Sequence, residues 1–382
     1  MKKNIVILGA GFGGLEAATT LSEKFSDRYE ITLIDKRDSF FIGFSKFEVL
    51  FGRKSEEEIK YSYKNLKANK TRFIQESVTN IDIDNKVIST MHSRFSYDYL
   101  IVALGADLHP SAIPGFVESG GHEFYSLEGA KKLHSAISDF KKGTILLTIF
   151  STPYKCPPAP YEGAFQLVDY FTGKGVRQNI TIKVIIPTPI PIPVSPDVSR
   201  EIERLLTDQN IELIKNTRII EIDSSAKNAV TEKKDRFAYD LFIGIPVHTP
   251  PPVVRQSKLG EKGFILVNRK NLQTEFENVY AVGDVATVPV GEAAVPKAGV
   301  FAEDGAKTVV ADILRKEGIE IELRKFEAAG ACYFEFGGGK VGKIDANFLG
   351  GEKPRVILEG LTSDLRREKI EFEAARRDRW FK

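Results

Sequence analysis

The chain has 382 residues, 42% hydrophobic and 28% charged, with a formal net charge of +2. That length allows two or three domains with a substantial core, and the near-balanced charge without a long basic arm argues against nucleic acid as a partner. No apolar run approaches the ~20 residues of a spanning helix, and the most apolar stretch, Val184–Val194, is broken by Pro187, Pro189, Pro191 and Pro193.

Residues 4–9 (Asn-Ile-Val-Ile-Leu-Gly) read as a short buried parallel strand ended by glycine. They start too early, and are too short, to serve as a signal peptide, so a cytoplasmic location is expected. Gly9-Ala-Gly11-Phe-Gly-Gly14 then supplies a G-x-G-x-x-G turn, Leu15–Phe25 a helix, and Glu30–Asp35 a second strand. Each glycine has a physical task. Gly9 makes the tight turn, Gly11 lets backbone approach a pyrophosphate, and Gly14 permits close helix–strand packing. The helix start offers unpaired N–H groups to phosphate, and Asp35, 21 residues after Gly14, can accept from ribose hydroxyls. Strand, turn, helix, strand and acid together predict a dinucleotide site.

Phe44, Phe47 and Phe51 fall on one helical face and suit either core packing or an aromatic wall beside a flat ligand. Residues 72–90 alternate apolar and polar and predict a small antiparallel meander. Tyr99–Ala106 reads as another buried strand, with Gly105 at its end. Pro110 and Pro114-Gly115 mark the crossing to a second domain.

A second Rossmann-like unit begins at Thr144–Phe150. Where a second nucleotide loop would need glycines, the chain reads Ser151-Thr-Pro-Tyr-Lys155-Cys156-Pro-Pro-Ala-Pro-Tyr-Glu162-Gly163. Prolines remove N–H donors, and Glu162 brings negative charge to the following helix start, so this loop argues against NAD(P)H. A strand at Ile180–Ile186, a helix over 198–209, a strand near Ile211–Ile214 and a meander to Ile243 follow. The lone His248 reads as a structural turn residue. The chain then returns to the first domain through Gly263–Val267 and Phe276–Asp284. Gly283 and Asp284 sit where a carboxylate meets the ribityl chain of a flavin. Pro296-Lys297-Ala-Gly299 opens a helix whose N-terminus, with Lys297, would stabilise negative charge at a flavin pyrimidine edge.

The second of two cysteines, Cys332, lies 332 − 156 = 176 residues after the first, in Ala331-Cys-Tyr-Phe334-Glu-Phe336. Gly337–Lys343 imitates a P-loop, but Ile344 stands where Ser or Thr belongs. The tail Ser363–Lys382 suits a solvated helix or, through Trp380 and Phe381, an interfacial anchor.

These readings give an α/β chain of two tandem Rossmann-like domains, in the manner of glutathione-reductase-like flavoproteins, with a small C-terminal region. The expected divisions are 1–110 and 249–316 for the dinucleotide domain, 111–248 for the second domain, and 317–382 for the C-terminal region.

On the Lys155–Glu162, Ala281–Asp284, Pro296–Gly299 and Ala331–Glu335 stretches, the chain resembles the sulfide:quinone oxidoreductase and flavocytochrome c sulfide dehydrogenase family of flavoproteins. The resemblance covers essentially the whole chain. It implies bound FAD, and two cysteines that face the flavin and form a disulfide or polysulfide bridge. Cys332 would lie nearer the flavin C4a, and Cys156 would take up oxidised sulfur. Lys155 and Glu162 would handle protons and stabilise thiolate, and Phe334, Phe336 or the phenylalanines of 40–51 would form a quinone pocket. A third cysteine found in many quinone-dependent members is absent. So is the cysteine that attaches flavin near Ile42–Phe44 in the flavocytochrome members, which implies non-covalent FAD.

The resemblance implies sulfide and a quinone, or a cytochrome, as redox partners, a homo-oligomer, and peripheral contact with the inner face of the cell membrane. No metal site is expected. The rivals are a type II NADH:quinone oxidoreductase, a low-molecular-weight disulfide reductase, and a flavin-binding redox sensor or scaffold without turnover.

Overall fold

The computed structural model describes residues 2–261 and 263–382. Its first sheet is parallel, in the strand order Val279–Ala281, Tyr99–Val102, Lys3–Leu8, Tyr29–Asp35, Thr71–Gln75. The β-branched run at its centre is shielded on both faces: Ile5, Ile7 and Leu8 are fully buried. One edge strand arrives only after the second domain has been completed, so the two halves of the dinucleotide domain are joined by hydrogen bonds. The helices Phe12–Phe25 and Gly299–Lys316 pack against each other beside this sheet.

Thr71–Gln75 belongs to the parallel sheet, which corrects the meander expected over 72–90. The antiparallel meander is instead Val78–Asp82, Val87–Thr90 and Arg94–Ser96. Alternation alone does not separate an edge strand with one face towards solvent from a meander strand.

The second parallel sheet runs Ile211–Ile214, Ile180–Ile185, Gly143–Ile149, Leu241–Ile245. The chain crosses between the units twice, and the two crossings pair as an antiparallel ribbon, Asp107–His109 with Val247–Thr249. His248 lies on this ribbon rather than in a turn. It is buried, its Nδ1 lies 2.8 Å from the Pro246 carbonyl, and burial, with Lys155 adding, holds the imidazole down to about 3.

The C-terminal region is a three-stranded antiparallel sheet, Ala329–Glu335, Val341–Asn347 and Arg355–Thr362, followed by the helix Leu365–Trp380. The Gly337–Gly339 run is the turn of its first hairpin.

The tail neither stands free nor offers its aromatics to a lipid surface. Trp380 is fully buried and Phe381 nearly so. The indole N–H donates to Glu16 Oε2 at 2.9 Å, and its ring meets Phe12 and Phe40 edge-on at 5.5 Å. Backbone bonds from Lys67 N to the Trp380 carbonyl and from Lys382 N to the Asn65 carbonyl sew the end down. Trp380→Ala is therefore expected to destabilise the protein by about 3–5 kcal/mol, the cost of deleting a large buried aromatic side chain. A denaturant midpoint that does not move would contradict this packing role. No helix among the described residues is long and apolar enough to cross a membrane.

Candidate active site

The dinucleotide motif folds as a cradle. Gly9 adopts φ +95°, and a Cβ there would sit 2.4 Å from the Ala103 carbonyl oxygen. A Cβ on Gly14 would come within 1.8 Å of the Gly9 oxygen. Gly14→Ala must therefore part helix from strand, and we expect purified protein that has lost its yellow cofactor or fails to fold. Full flavin content in that variant would refute the close-approach argument.

Gly11, by contrast, has nothing within 4 Å of its Cβ direction. It faces a cavity of about 470 Å³ lined also by Asp35, Arg37, Gly105, Gly283 and Asp284. The Phe12–Phe25 helix opens onto this cavity with no side-chain cap and no acid in its first turn, leaving N–H groups for an anion. Asp35 lines the cavity, but its carboxylate already accepts from Ala10 N at 2.7 Å and from Arg37 N at 2.9 Å. It braces the glycine turn as well as facing the cavity.

A second cavity, about 210 Å³, adjoins the first, and Phe12, Gly43, Lys155, Asp284 and Gly299 border both. Cys156 and Cys332 both line this inner cavity, so the fold brings together residues 176 positions apart. The aromatic walls come from Phe44, Phe47, Phe124, Tyr125 and Phe372. The Gly299–Lys316 helix, also uncapped and without an acid in its first turn, begins here. Two uncapped helix starts, a glycine cradle and an aromatic chamber in one continuous space suit an extended dinucleotide carrying a flat ring system.

Cys156 is held by its backbone. The residue adopts φ +50°, its N–H donates to the Lys297 carbonyl at 2.8 Å, and its own carbonyl accepts from Ala159 N at 2.9 Å. The proline-rich loop is thereby fixed to the segment that opens the Gly299 helix. Cys156 is exposed to the inner cavity; the protein packed around that cavity, with Cys332 and Glu162 adding, pushes its thiol up. Burial raises Cys332 to about 11, opposed by Arg376.

Glu162 lies in the first turn of the Ala159–Gly173 helix, almost fully buried. Its Oε1 accepts from Glu335 N at 3.1 Å and from Lys369 Nζ at 3.3 Å, while Lys369 also reaches Glu335 Oε1 at 2.7 Å. Two carboxyls thus share one ammonium. Burial pushes the Glu162 carboxyl up despite Lys369. Burial also opposes ionisation of Glu335, but Lys369 and then Arg53 hold it below the usual carboxylate range. Glu162 is therefore the member of the group that holds a proton more readily.

The two other lysines singled out from sequence are tied to backbone. Lys155 Nζ donates to the Ala106 carbonyl at 3.1 Å, at the side of the dinucleotide cavity. Lys297 Nζ donates to the carbonyls of Asp284 and Ala286 and lies 3.6 Å from the Phe264 ring centroid. Its ammonium braces the Asp284 turn. Burial lowers it to about 8.

Phe334 and Phe336 do not form a ligand pocket. Both rings are fully buried in the second-domain core, 4.0 Å apart and packed on Phe165. The aromatics that do face the inner cavity from the C-terminal region are Tyr333 and Phe372. Sequence reading also missed Lys46, Lys369 and Arg376; acidic partners distant in the chain give Lys369 and Arg376 meaning, and the cavity it lines gives Lys46 its own.

The sequence pattern of the pyridine nucleotide-disulphide oxidoreductases matches residues 3–146 and 170–310. The chain belongs to that family. The match breaks over 147–169, the stretch that holds Cys156 and Glu162, and ends before Cys332. The chain is 25% identical to the mitochondrial sulfide:quinone oxidoreductase of Mus musculus over 384 residues, covering 96% of this chain and 82% of that protein. It is 27% identical to the type II NADH:quinone oxidoreductase of Staphylococcus haemolyticus over 313 residues, 76% of each chain. The structure of the sulfide:quinone oxidoreductase of Aquifex aeolicus superposes with a TM-score of 0.86 at 22% identity, covering 98% of this chain and 90% of that one.

Within the pyridine nucleotide-disulphide oxidoreductases, the chain is similar to both sulfide:quinone and type II NADH:quinone oxidoreductases. Like them it is an FAD-dependent oxidoreductase. The residues present fit that cofactor. The glycine cradle and the Phe12 helix start would hold the pyrophosphate, and the aromatic chamber at Asp284 and Gly299 the ring system.

Proposed function

We propose that this oxidoreductase oxidises sulfide through a Cys156–Cys332 pair and passes the electrons to a quinone. The observation that carries this reading is the inner cavity, where two cysteines from distant parts of the chain line one chamber with Asp284 and the Gly299 helix start. The Ser151–Pro158 loop supports it from the other side. A nicotinamide dinucleotide would need backbone N–H groups there, and the chain offers prolines and a buried Glu162.

In the chemistry we infer, a hydrosulfide attacks the Cys156 sulfur of the oxidised pair. A new sulfur–sulfur bond forms there, the bond to Cys332 breaks, and Cys332 leaves as a thiolate carrying the electron pair. Bound FAD supplies two-electron acceptor chemistry for that pair. The uncapped Gly299 helix start favours negative charge at its end of the chamber. Glu162, with its raised carboxyl and its place in the cavity wall, is the group we assign to carrying a proton near the cysteines.

For the quinone we infer a third cavity, about 730 Å³, across Val300 and Phe372, which line it and the inner chamber alike. Arg376 stacks 3.4 Å from the Phe372 ring centroid at this divide and pairs with Glu303. Entry of the acceptor there would leave the cysteine side free for sulfide.

Anaerobic titration of the purified flavoprotein tests the reading. Sulfide should bleach the flavin absorbance, a soluble quinone should restore it, and NADH should bleach it slowly or not at all. Rapid bleaching by NADH with no response to sulfide would favour a type II NADH dehydrogenase instead. Failure of quinone with recovery by a cytochrome would move the acceptor assignment alone.

A further inference from the structure

The inner cavity contains a cation that the proposed chemistry above does not use. Lys46 begins the short helix Lys46–Leu50, directly after the Gly43–Ser45 turn, and lines the chamber with both cysteines. Its Nζ lies 5.5 Å from the Phe41 ring centroid and, among the described residues, has neither a carboxylate within ion-pair distance nor a hydrogen-bond partner.

Of the neighbouring charges, the Asp284 carboxylate lines the same chamber and Glu123 accepts from the Tyr125 and Ser126 N–H groups, while the remaining ones are engaged by charged or backbone partners. Lys155 and Lys297 donate to backbone carbonyls, Arg37 pairs with Asp35, and Glu162 is held by Lys369. Arg376 pairs with Glu303 at the far wall. A half-buried ammonium with no carboxylate at ion-pair distance is stabilised by an anion that forms beside it in the same chamber.

We propose that Lys46 is the counter-ion of the Cys156 sulfur, pairing with the negative charge that sulfur carries as thiolate or persulfide. This rests on the sulfide reading for its role in turnover, but the pairing itself requires only the reduced cysteine. Two further features agree with it. Burial, with Lys155 adding, lowers the Lys46 ammonium to about 8, and Glu123, then Cys156, oppose that fall. Lys46 is also the cation that offsets the rise of the Cys156 thiol, whereas Arg376 fills that place for Cys332. Lys46 is thus a charge-setting residue for one cysteine of the pair.

Alkylation of the reduced holoenzyme under anaerobic conditions tests this without turnover. Anionic iodoacetate and neutral iodoacetamide are compared at each cysteine by peptide mass. Lys46→Met should lower the iodoacetate-to-iodoacetamide rate ratio at Cys156 by about tenfold, the factor associated with one pKa unit. The ratio at Cys332 should hold, and Lys46→Arg should restore that at Cys156. An unchanged ratio at Cys156, or an equal fall at both cysteines, would overturn the proposal. Sulfide bleaching is measured on the same samples. Its absence in the unmodified protein would defeat the sulfide reading while leaving the labelling result to decide Lys46.

Discussion

Cys156→Ser is expected to abolish sulfide-dependent bleaching and turnover, a loss of roughly 10³-fold or more, as when one member of a covalent catalytic unit is removed. FAD should remain bound. The cysteine loop is fixed by main-chain bonds, from Cys156 N to the Lys297 carbonyl and from Ala159 N to the Cys156 carbonyl, which serine can keep. Neither the Gly9–Gly14 turn nor the Phe12 helix start depends on the thiol. Cys332→Ser should do the same damage, and the double variant little more, because the two sulfurs act as one unit. Stopped-flow absorbance of each variant decides the matter. A Cys156→Ser protein that keeps a tenth of its sulfide activity would show that the pair is not the entry point. Any NADH oxidation, by contrast, should be indifferent to the substitution.

Lys369→Met should be strongly destabilising. Lys369 is 6% exposed and is shared by Glu162 and Glu335, themselves 3% and 8% exposed, and its ammonium also lies 4.8 Å from the Phe44 ring centroid. Removing the cation leaves two buried carboxyls facing one another. The expected cost is about 3–5 kcal/mol, in line with breaking a buried ion pair from one side.

The sign of its pH dependence follows from Glu162. A carboxyl whose folded value is raised contributes stability below its unfolded value and loses it as pH rises through the folded one. Without Lys369 both carboxyls are raised, so the deficit of Lys369→Met should widen between pH 5 and pH 8. Adding Glu335→Gln should return part of the loss at the higher pH. Denaturant midpoints at the two pH values check both statements, and a deficit independent of pH would mean that lost packing, not charge, is the cause.

The sequence by itself determined the features that depend on neighbours in the chain. The turn at Gly9–Gly14 needs residues without Cβ at fixed offsets, and the Gly14 approach to the Gly9 oxygen shows why nothing else fits. Buried parallel strands such as Ile5–Leu8 and Tyr99–Val102 are legible because both faces are covered, so every position is apolar. The proline-for-glycine exchange at Ser151–Pro158 was equally readable, since the consequence for N–H donors is local.

Only the tertiary structure decided which side chains meet. Cys332 and Phe334 lie on one strand and Phe336 just beyond its end, and it is the packing of Phe165 against the two rings, not strand alternation, that places the aromatics in the core. No spacing rule reveals that. Lys369 looks like one more charge on a highly charged helix until Glu162, 207 residues earlier, is seen beside it. Trp380 and Phe381 have the composition of an interfacial anchor and the surroundings of a core, because the end of the chain folds back onto Phe12, Phe40 and Glu16. Local sequence fixes backbone conformation through sterics and hydrogen-bonding capacity. The environment of a charge or a ring depends on which distant surfaces close over it, and that is set by the packing of the whole chain.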